Sequence, residues 1–410
     1  MTTFADAATS FIERQPNAHD RRRAWAAFEA LGLPTTTDEV WRYAPLSELS
    51  LDRFASTTSS AARADSAIVD GLVAHAGLVV RVVDGVVTST GTALEGVSVT
   101  AEATVSDEAL AQRYADDAFA QLNAALAPTT ITVRVARGVR VARPVVIVHR
   151  TEGSVSFPRT VVALEEGADA TLVEYYEGGK DALVVPMSEY HVGENAELRL
   201  VTYQRLDPSA WHVARSTGVI ARDGRLLQAV IGLGGYYDRS RNDAVLAGAG
   251  SHNELRTTFL GAQSQVHDFR THQLHLGAHS SSVLLSKGAV TDESRSIYTG
   301  LIEIEHGARR TDARQTNHNL LLSPRAHADS VPNLDIREND VRCAHASSVG
   351  PLDELQRWYL ESRGVTPSDA QRLMIRGFYN EMLVALPAQL AHLVENDVTA
   401  VLESVTAVAS

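Results

Sequence analysis

Gly167-Ala-Asp-Ala-Thr-Leu172, Gly193-Glu-Asn-Ala-Glu-Leu198-Arg199 and Gly250-Ser-His-Asn-Glu-Leu255-Arg256 repeat one phrase, a glycine-marked turn that feeds a strand. Looser versions start at Gly224, Gly277 and Gly307, so successive glycines stand 26, 31, 26, 27 and 30 residues apart. The stretches between them keep a period of two. Ile131, Val133 and Val135 are apolar where Thr132 and Arg134 are polar, and similar patterns run from Pro128 to about Gly350 with few helix signals. A turn returning at this spacing is what stacked β-coils produce, each coil burying its apolar parity against the next. A sandwich would turn every 8–12 residues or so. The expected fold is mainly β, with a solenoid core over 128–350.

Outward from that core the signals change. Phe4 to Arg14 and Arg21 to Leu31 carry helix formers, and Gly32 with Pro34 closes the second segment. Asp84-Gly85 between Leu78–Val83 and Val86–Ser89 predicts a hairpin. Asp107 to Leu126 returns to a helical pattern, and residues 1–127 form a helical and mixed region. After Gly350, Asp353 caps a helix from Glu354 to Arg363, with Gly364 suited to its C′ position. Thr366-Pro367-Ser368-Asp369 opens another, which presents Leu373, Met374, Phe378, Met382 and Leu386 before Pro387. Ala388 to Val405 forms a last amphipathic helix, and the 351–410 tail is expected to cover the solenoid's open end.

The chain of 410 residues has a formal charge of −13 and one cysteine, Cys343. The acidic balance argues against nucleic acid, because phosphate binding needs clustered positive charge, and Arg21–Arg23 is expected to be a solvated helix face. No apolar run reaches the length of a membrane span, and the N-terminus lacks a signal-peptide order, so a cytoplasmic address is expected. A single thiol excludes an internal disulfide, a zinc ribbon or a self-contained all-cysteine cluster site.

Nine of the fifteen histidines (252, 267, 272, 275, 279, 306, 318, 327 and 345) fall within 94 residues. His267, His275 and His279 share strand parity. A metal-handling surface and a set of hydrogen-bonded structural histidines both fit, and no compact ligand motif decides between them. In Cys343-Ala344-His345 the thiol and imidazole stand two apart and share a strand face. That suits a nucleophile pair, two ligands of a shared metal site, or an inert thiol beside a structural histidine. A phosphate loop, a nucleophile elbow and a dinucleotide fingerprint are missing. A second reading is a β-helix enzyme acting on polysaccharide, with Lys287, Asp292, Glu293, Arg295, Arg309, Arg310 and Asp312 on one groove. An acidic, thiol-bearing chain suits it poorly.

Lys287-Gly288-Ala289-Val290-Thr-Asp292-Glu-Ser294-Arg295-Ser296-Ile-Tyr-Thr-Gly300 resembles the SufB/SufD family of the SUF iron–sulfur cluster assembly system. So do Thr311 to Ser323, Pro332 to His345 and Val349 to Gly364, and near the start Pro34 to Leu46 with Trp41-Arg42-Tyr43. The chain looks like the SufD branch. Where SufB carries a cysteine in T-x-C-D-S, this chain has His318, and where SufB has E-H-E it has Ala344-His345-Ala346. Ala344, Ala346, Ser347 and His318 also depart mildly from the usual SufD pattern.

The resemblance implies a right-handed parallel β-helix flanked by helical regions, and a non-catalytic scaffold subunit. It implies a SufB paralogue paired through the solenoids, and a SufC ATPase of ABC type docked on the C-terminal helices, where Leu373, Phe378 and Met382 would lie in a partner groove. His345, with Cys343 as a weaker candidate, would face the paralogue and meet nascent iron or cluster there. No cofactor is expected to stay bound to the chain alone. A transient cluster belongs to the seam, and a reduced flavin in the complex and a homodimer of the isolated chain are left open.

Overall fold

The computed structural model describes residues 3–55, 65–103, 114–383, 386 and 388–408, and within them the glycine period is the period of a two-sheet β-solenoid. One sheet of ten strands runs from the hairpin Leu78–Val83/Val86–Thr90 through Val145–Thr151, Asp169–Gly178, Glu197–Leu206, Arg225–Gly232, His252–Gly261, Ser281–Val290 and Asp312–Leu321 to Arg342–Gly350. The second, of eleven, runs from Val97–Glu102 and Thr130–Val135 through alternate strands to Arg295–Ile304 and finally His327–Ile336. The chain crosses between the sheets at every turn, so neighbouring strands within each sheet are parallel and in register from Val145 onward. The ladder also reaches back before Pro128. Leu78–Val83 pairs in parallel with Val145–Thr151, and Asp84 and Gly85 take positive φ in the predicted hairpin turn.

Close approach of stacked turns explains the repeating glycines. A Cβ at Gly277 would run into the carbonyl oxygen of Gly248 in the turn below. Gly250 sits at φ 71°, a left-handed conformation that costs glycine nothing. Inside the coils, one parity forms continuous columns. Leu172, Leu200, Gln228, Leu255, Leu284, Gln315 and His345 are aligned neighbours on successive strands. At one margin the interior is aliphatic, with Leu164, Val192, Ile220 and Leu246 in a single buried cluster.

Helices cover the outer faces. Phe4–Glu13, Ala18–Leu31 and Ala118–Leu126 pack Ile12, Trp25, Phe28 and Leu122 against Trp211, Val213 and Tyr237 of the second sheet. The last of these helices starts at Ala118, capped by the Asp117 carboxylate, after a turn at Tyr114–Asp116 that interrupts the helical pattern read from Asp107 to Leu126. Residues 107–113 lie outside the described ones. Arg21 is not solvated. Its guanidinium is buried and donates to Asn17 and to the carbonyls of Ala125 and Ala103, and burial lowers its pKa to about 10. Only Arg22 and Arg23 of the triplet face water.

The C-terminal tail does not cover the open end. Helices Pro367–Leu383 and Ala388–Val408 lie on the outer face of the first sheet, where Ile375, Tyr379, Leu390 and Val394 pack with Val201, Tyr203, Leu260 and Ala289. Tyr379 donates its hydroxyl to the Phe259 carbonyl, and Lys287 reaches both the Phe378 carbonyl and the Glu381 carboxylate. An outward apolar parity on the first sheet takes the tail, and the last coil is left bare.

Candidate functional site

The bare coil is made of His327–Ile336 and Arg342–Gly350, the terminal strands of their sheets. Each therefore keeps one row of backbone N–H and C=O groups unpaired by any strand of the described residues. Their inward parity would be core one coil earlier. Ile304 is 0% exposed, while its register neighbour Ile336 is 42% exposed, and Val349 on the other strand is 43% exposed.

Cys343 and His345 share that inward parity, as the spacing implied. Cys343 follows Ala313 in register and packs, half-buried, against the cluster of Ile302, Ile304, Ala308 and Ala313. Burial raises its thiol pKa, helped by the Asp312 carboxylate, so the thiol is held protonated and is poorly suited to act as a nucleophile. His345 is exposed and its imidazole makes no hydrogen bond among the described residues. Beneath it lies Gln315, buried, with neither amide atom paired among the described residues. Asn317 and Ser347 both reach Ser330 on the opposite strand, at 2.8 and 2.7 Å, while Asn317 Oδ1 and Asn319 Nδ2 have no partner among the described residues. The end of the solenoid is thus a polar floor of amides under a free imidazole and a protonated thiol. Among the described residues no group of three or more His, Cys, Asp or Glu side chains is placed to hold a metal ion. One imidazole and one half-buried thiol supply at most part of a coordination shell, so metal or cluster held here would take its other ligands from elsewhere.

His318 faces outward between Lys287 and Ser348, its Nδ1 2.5 Å from the serine hydroxyl. Burial and the Lys287 charge lower its pKa. The other clustered histidines do not form one surface. His267 and His275 point inward, but His279 stands in a turn at φ 59° and leaves their face. His272 turns outward to Glu303 at 2.9 Å. The charged set of the polysaccharide reading scatters likewise. Lys287 is on the outer face of the first sheet against Glu381, Arg295 on the second sheet pairs Asp329, and Arg309 and Arg310 sit in a turn near Glu338 and Asp340. They share no groove.

Of the three C-terminal residues read as partner-facing, Met382 is buried and Phe378 packs against the first sheet, its ring under the Lys287 ammonium. Leu373 alone is exposed. Sequence reasoning passed over the neighbouring stripe: Leu355, Trp358 and Tyr359, at i, i+3 and i+4 on Glu354–Ser362, are 78, 67 and 54% exposed. Their helical spacing was the available signal.

A second feature lay hidden in the inward parity. Asp238, fully buried, sits between His212 and His267 on flanking strands, with its oxygens 2.7 and 3.1 Å from their Nδ1 atoms. Burial opposes its charge, but the two imidazoles win and hold the carboxyl below its ordinary range. Glu174, buried next to Leu172, accepts from Tyr190 at 2.6 Å and lies 3.4 Å from His149. A charged residue at an inward position was the signal.

Residues 146–378 match the family described as SUF system FeS cluster assembly, SufBD core domain. The chain is 30% identical over 364 residues to the iron–sulfur cluster assembly protein SufD of Escherichia coli K12, covering 87% of this chain and 86% of that one. It is 34% identical over 278 residues to the SufD protein of Bacillus subtilis, 65% of this chain and 63% of the relative. With an iron–sulfur cluster assembly SufBD family protein of Mycobacterium tuberculosis it shares 30% over 386 residues, 90% of each chain. A β-solenoid whose core matches the SufBD domain and whose near-full length aligns with SufD proteins belongs to the SufB/SufD family of the SUF iron–sulfur cluster assembly system, as a SufD-type member.

Proposed function

We propose that this chain is a non-catalytic scaffold subunit that joins a SufB-type paralogue through its bare terminal coil and offers His345 at that seam to iron or cluster in assembly. The observation that carries the proposal is the pair of unpaired strand edges ending in exposed core-parity residues, Ile336 and Val349. A like coil laid against this one would continue both sheets, satisfy both backbone rows and bury those side chains. His345 would then lie inside the joint above Gln315, with the remaining ligands supplied by the thiol-bearing partner. The cluster is cargo, passed on and not kept, and no resident cofactor is assigned to the chain alone. An ABC-type ATPase of the SufC kind would dock on the stripe of Leu355, Trp358 and Tyr359 with Leu373, and its nucleotide-driven movement would be transmitted through the helices packed on the first sheet. The setting is cytoplasmic.

The test replaces His345 by Ala in the co-expressed three-component complex. Cluster formation is expected to fall roughly tenfold or more, as for loss of a group that tunes a metal site, while the complex still co-purifies. Undiminished assembly by an intact complex would remove His345 from the mechanism. Failure of the chain to co-purify with a SufB-type and a SufC-type protein would remove the scaffold role.

A further inference from the structure

The N-terminal cover of the second sheet stops short of the open end, and a cavity of about 450 Å³ lies where it stops. One wall is the Val40–Tyr43 segment and the other is the outward parity of four strands from Tyr237 to Ile336. The segment is pinned from both sides. The Arg239 guanidinium lies 3.6 Å from the centre of the Trp41 ring, and Arg295 lies 5.2 Å from that of Tyr43. This is the Trp41-Arg42-Tyr43 stretch singled out in the sequence.

Arg270 on the cavity wall is 6% exposed and donates its Nε to Asp268 at 3.0 Å, yet its Nη2 has no partner among the described residues. Three of the nearby acids are already engaged. Asp268 also takes Arg239 and the Tyr237 hydroxyl, Asp243 takes Arg215 and Arg241, and Glu303 takes His272. Glu39 also lines the cavity. Arg42, exposed at its mouth, forms no ion pair among the described residues. A buried guanidinium edge without an acceptor is costly to leave unmade, and Arg270 lines a cavity many times the ~30 Å³ share of one water. Val40, Tyr43, Leu301 and Val331 supply apolar wall around it.

We infer that this cavity binds a small organic anion, its phosphate or carboxylate on Arg270 and Arg42 and its apolar or planar body between Tyr43 and Leu301/Val331. A volume in the range of roughly 300–1,000 Å³ with few polar groups converging on one end is the usual form of such a site, and a guanidinium fork matches either oxyanion.

The full chain would be titrated calorimetrically with AMP, with benzoate and with inorganic phosphate, the first two separating a phosphate from a carboxylate head. At least one organic probe is expected to bind with Kd below about 1 mM and at least tenfold more tightly than inorganic phosphate. Arg42→Ala should weaken that binding about tenfold, and Val331→Trp, which fills the cavity from an already exposed position, should abolish it. Arg22→Ala, on a remote exposed helix face, should change nothing, and thermal unfolding of each variant checks that it folds. Absence of saturable binding of both organic probes, affinity no better than that of inorganic phosphate, or binding indifferent to Arg42→Ala and Val331→Trp would each overturn the inference.

Discussion

His275 shows what a single inward residue does to the fold. It is buried, with Nδ1 2.8 Å from the Ser280 hydroxyl and Nε2 2.9 Å from that of Ser282, and burial lowers its pKa to about 4 from 6.5. The folded state therefore prefers the neutral ring. Between pH 6.5 and 4 the unfolded chain binds the extra proton and the folded chain does not, so stability falls as pH drops through that window and levels off below it. The loss expected from this one ring is roughly 3 kcal/mol, read as the pH dependence of the urea midpoint. A His275→Gln variant should lack that part of the slope, and an unchanged slope would mean that the ring is not neutral in the fold. Asp238 works in a separate window. Its depressed carboxyl contributes stability above its unfolded pKa of 3.8 that is lost only at more acidic pH. Asp238→Ala would leave the Nδ1 atoms of two buried imidazoles unpaired and should cost about 3–5 kcal/mol, measured by denaturant unfolding.

The turns and the helices differ in how much of them the sequence reveals. A turn's demand is local. Gly277 must be glycine because the Gly248 carbonyl occupies the place of its Cβ, and Gly277→Ala should destabilise by about 2 kcal/mol or more, or shift the stacked turn, visible as a lowered thermal midpoint. The glycine spacing therefore led directly to the coil period. An amphipathic helix announces only that one face is covered. Phe378 and Met382 have the spacing of a docking face, and the structure spends that face on the first sheet. The stripe with no cover belongs to the preceding helix, which has no buried residue at all. Leu355→Asp with Trp358→Asp should therefore leave the thermal midpoint of the chain within a few degrees, since exposed substitutions typically change stability by about 0.5 kcal/mol or less. The same double variant should lose the ATPase on co-purification. Retention of the ATPase would move its dock elsewhere.

Across the whole molecule, the strand pattern continues unchanged to Gly350, and nothing in its parity marks the last coil as uncovered. Alternation states which side chains point inward, but whether another layer lies beyond them is a property of the assembled stack. That is why His345 and Cys343 were legible as sharing a face while the polar floor of Gln315, Asn317 and Asn319 was not. The open coil has a consequence for association. Val349 is exposed in the single chain, so Val349→Lys costs the chain little by itself. In any joint that stacks a second solenoid on this end, the introduced ammonium would be buried without a partner, at a cost of several kcal/mol. Pairing with a SufB-type paralogue, and any self-pairing of the isolated chain, should weaken by about 100-fold or more while the thermal midpoint of the single chain stays put. Sedimentation velocity across a concentration series reads the self-pairing, and pull-down of the co-expressed paralogue reads the other. A Val349→Lys chain that still associated with wild-type affinity would place the joint away from this end and leave His345 facing solvent.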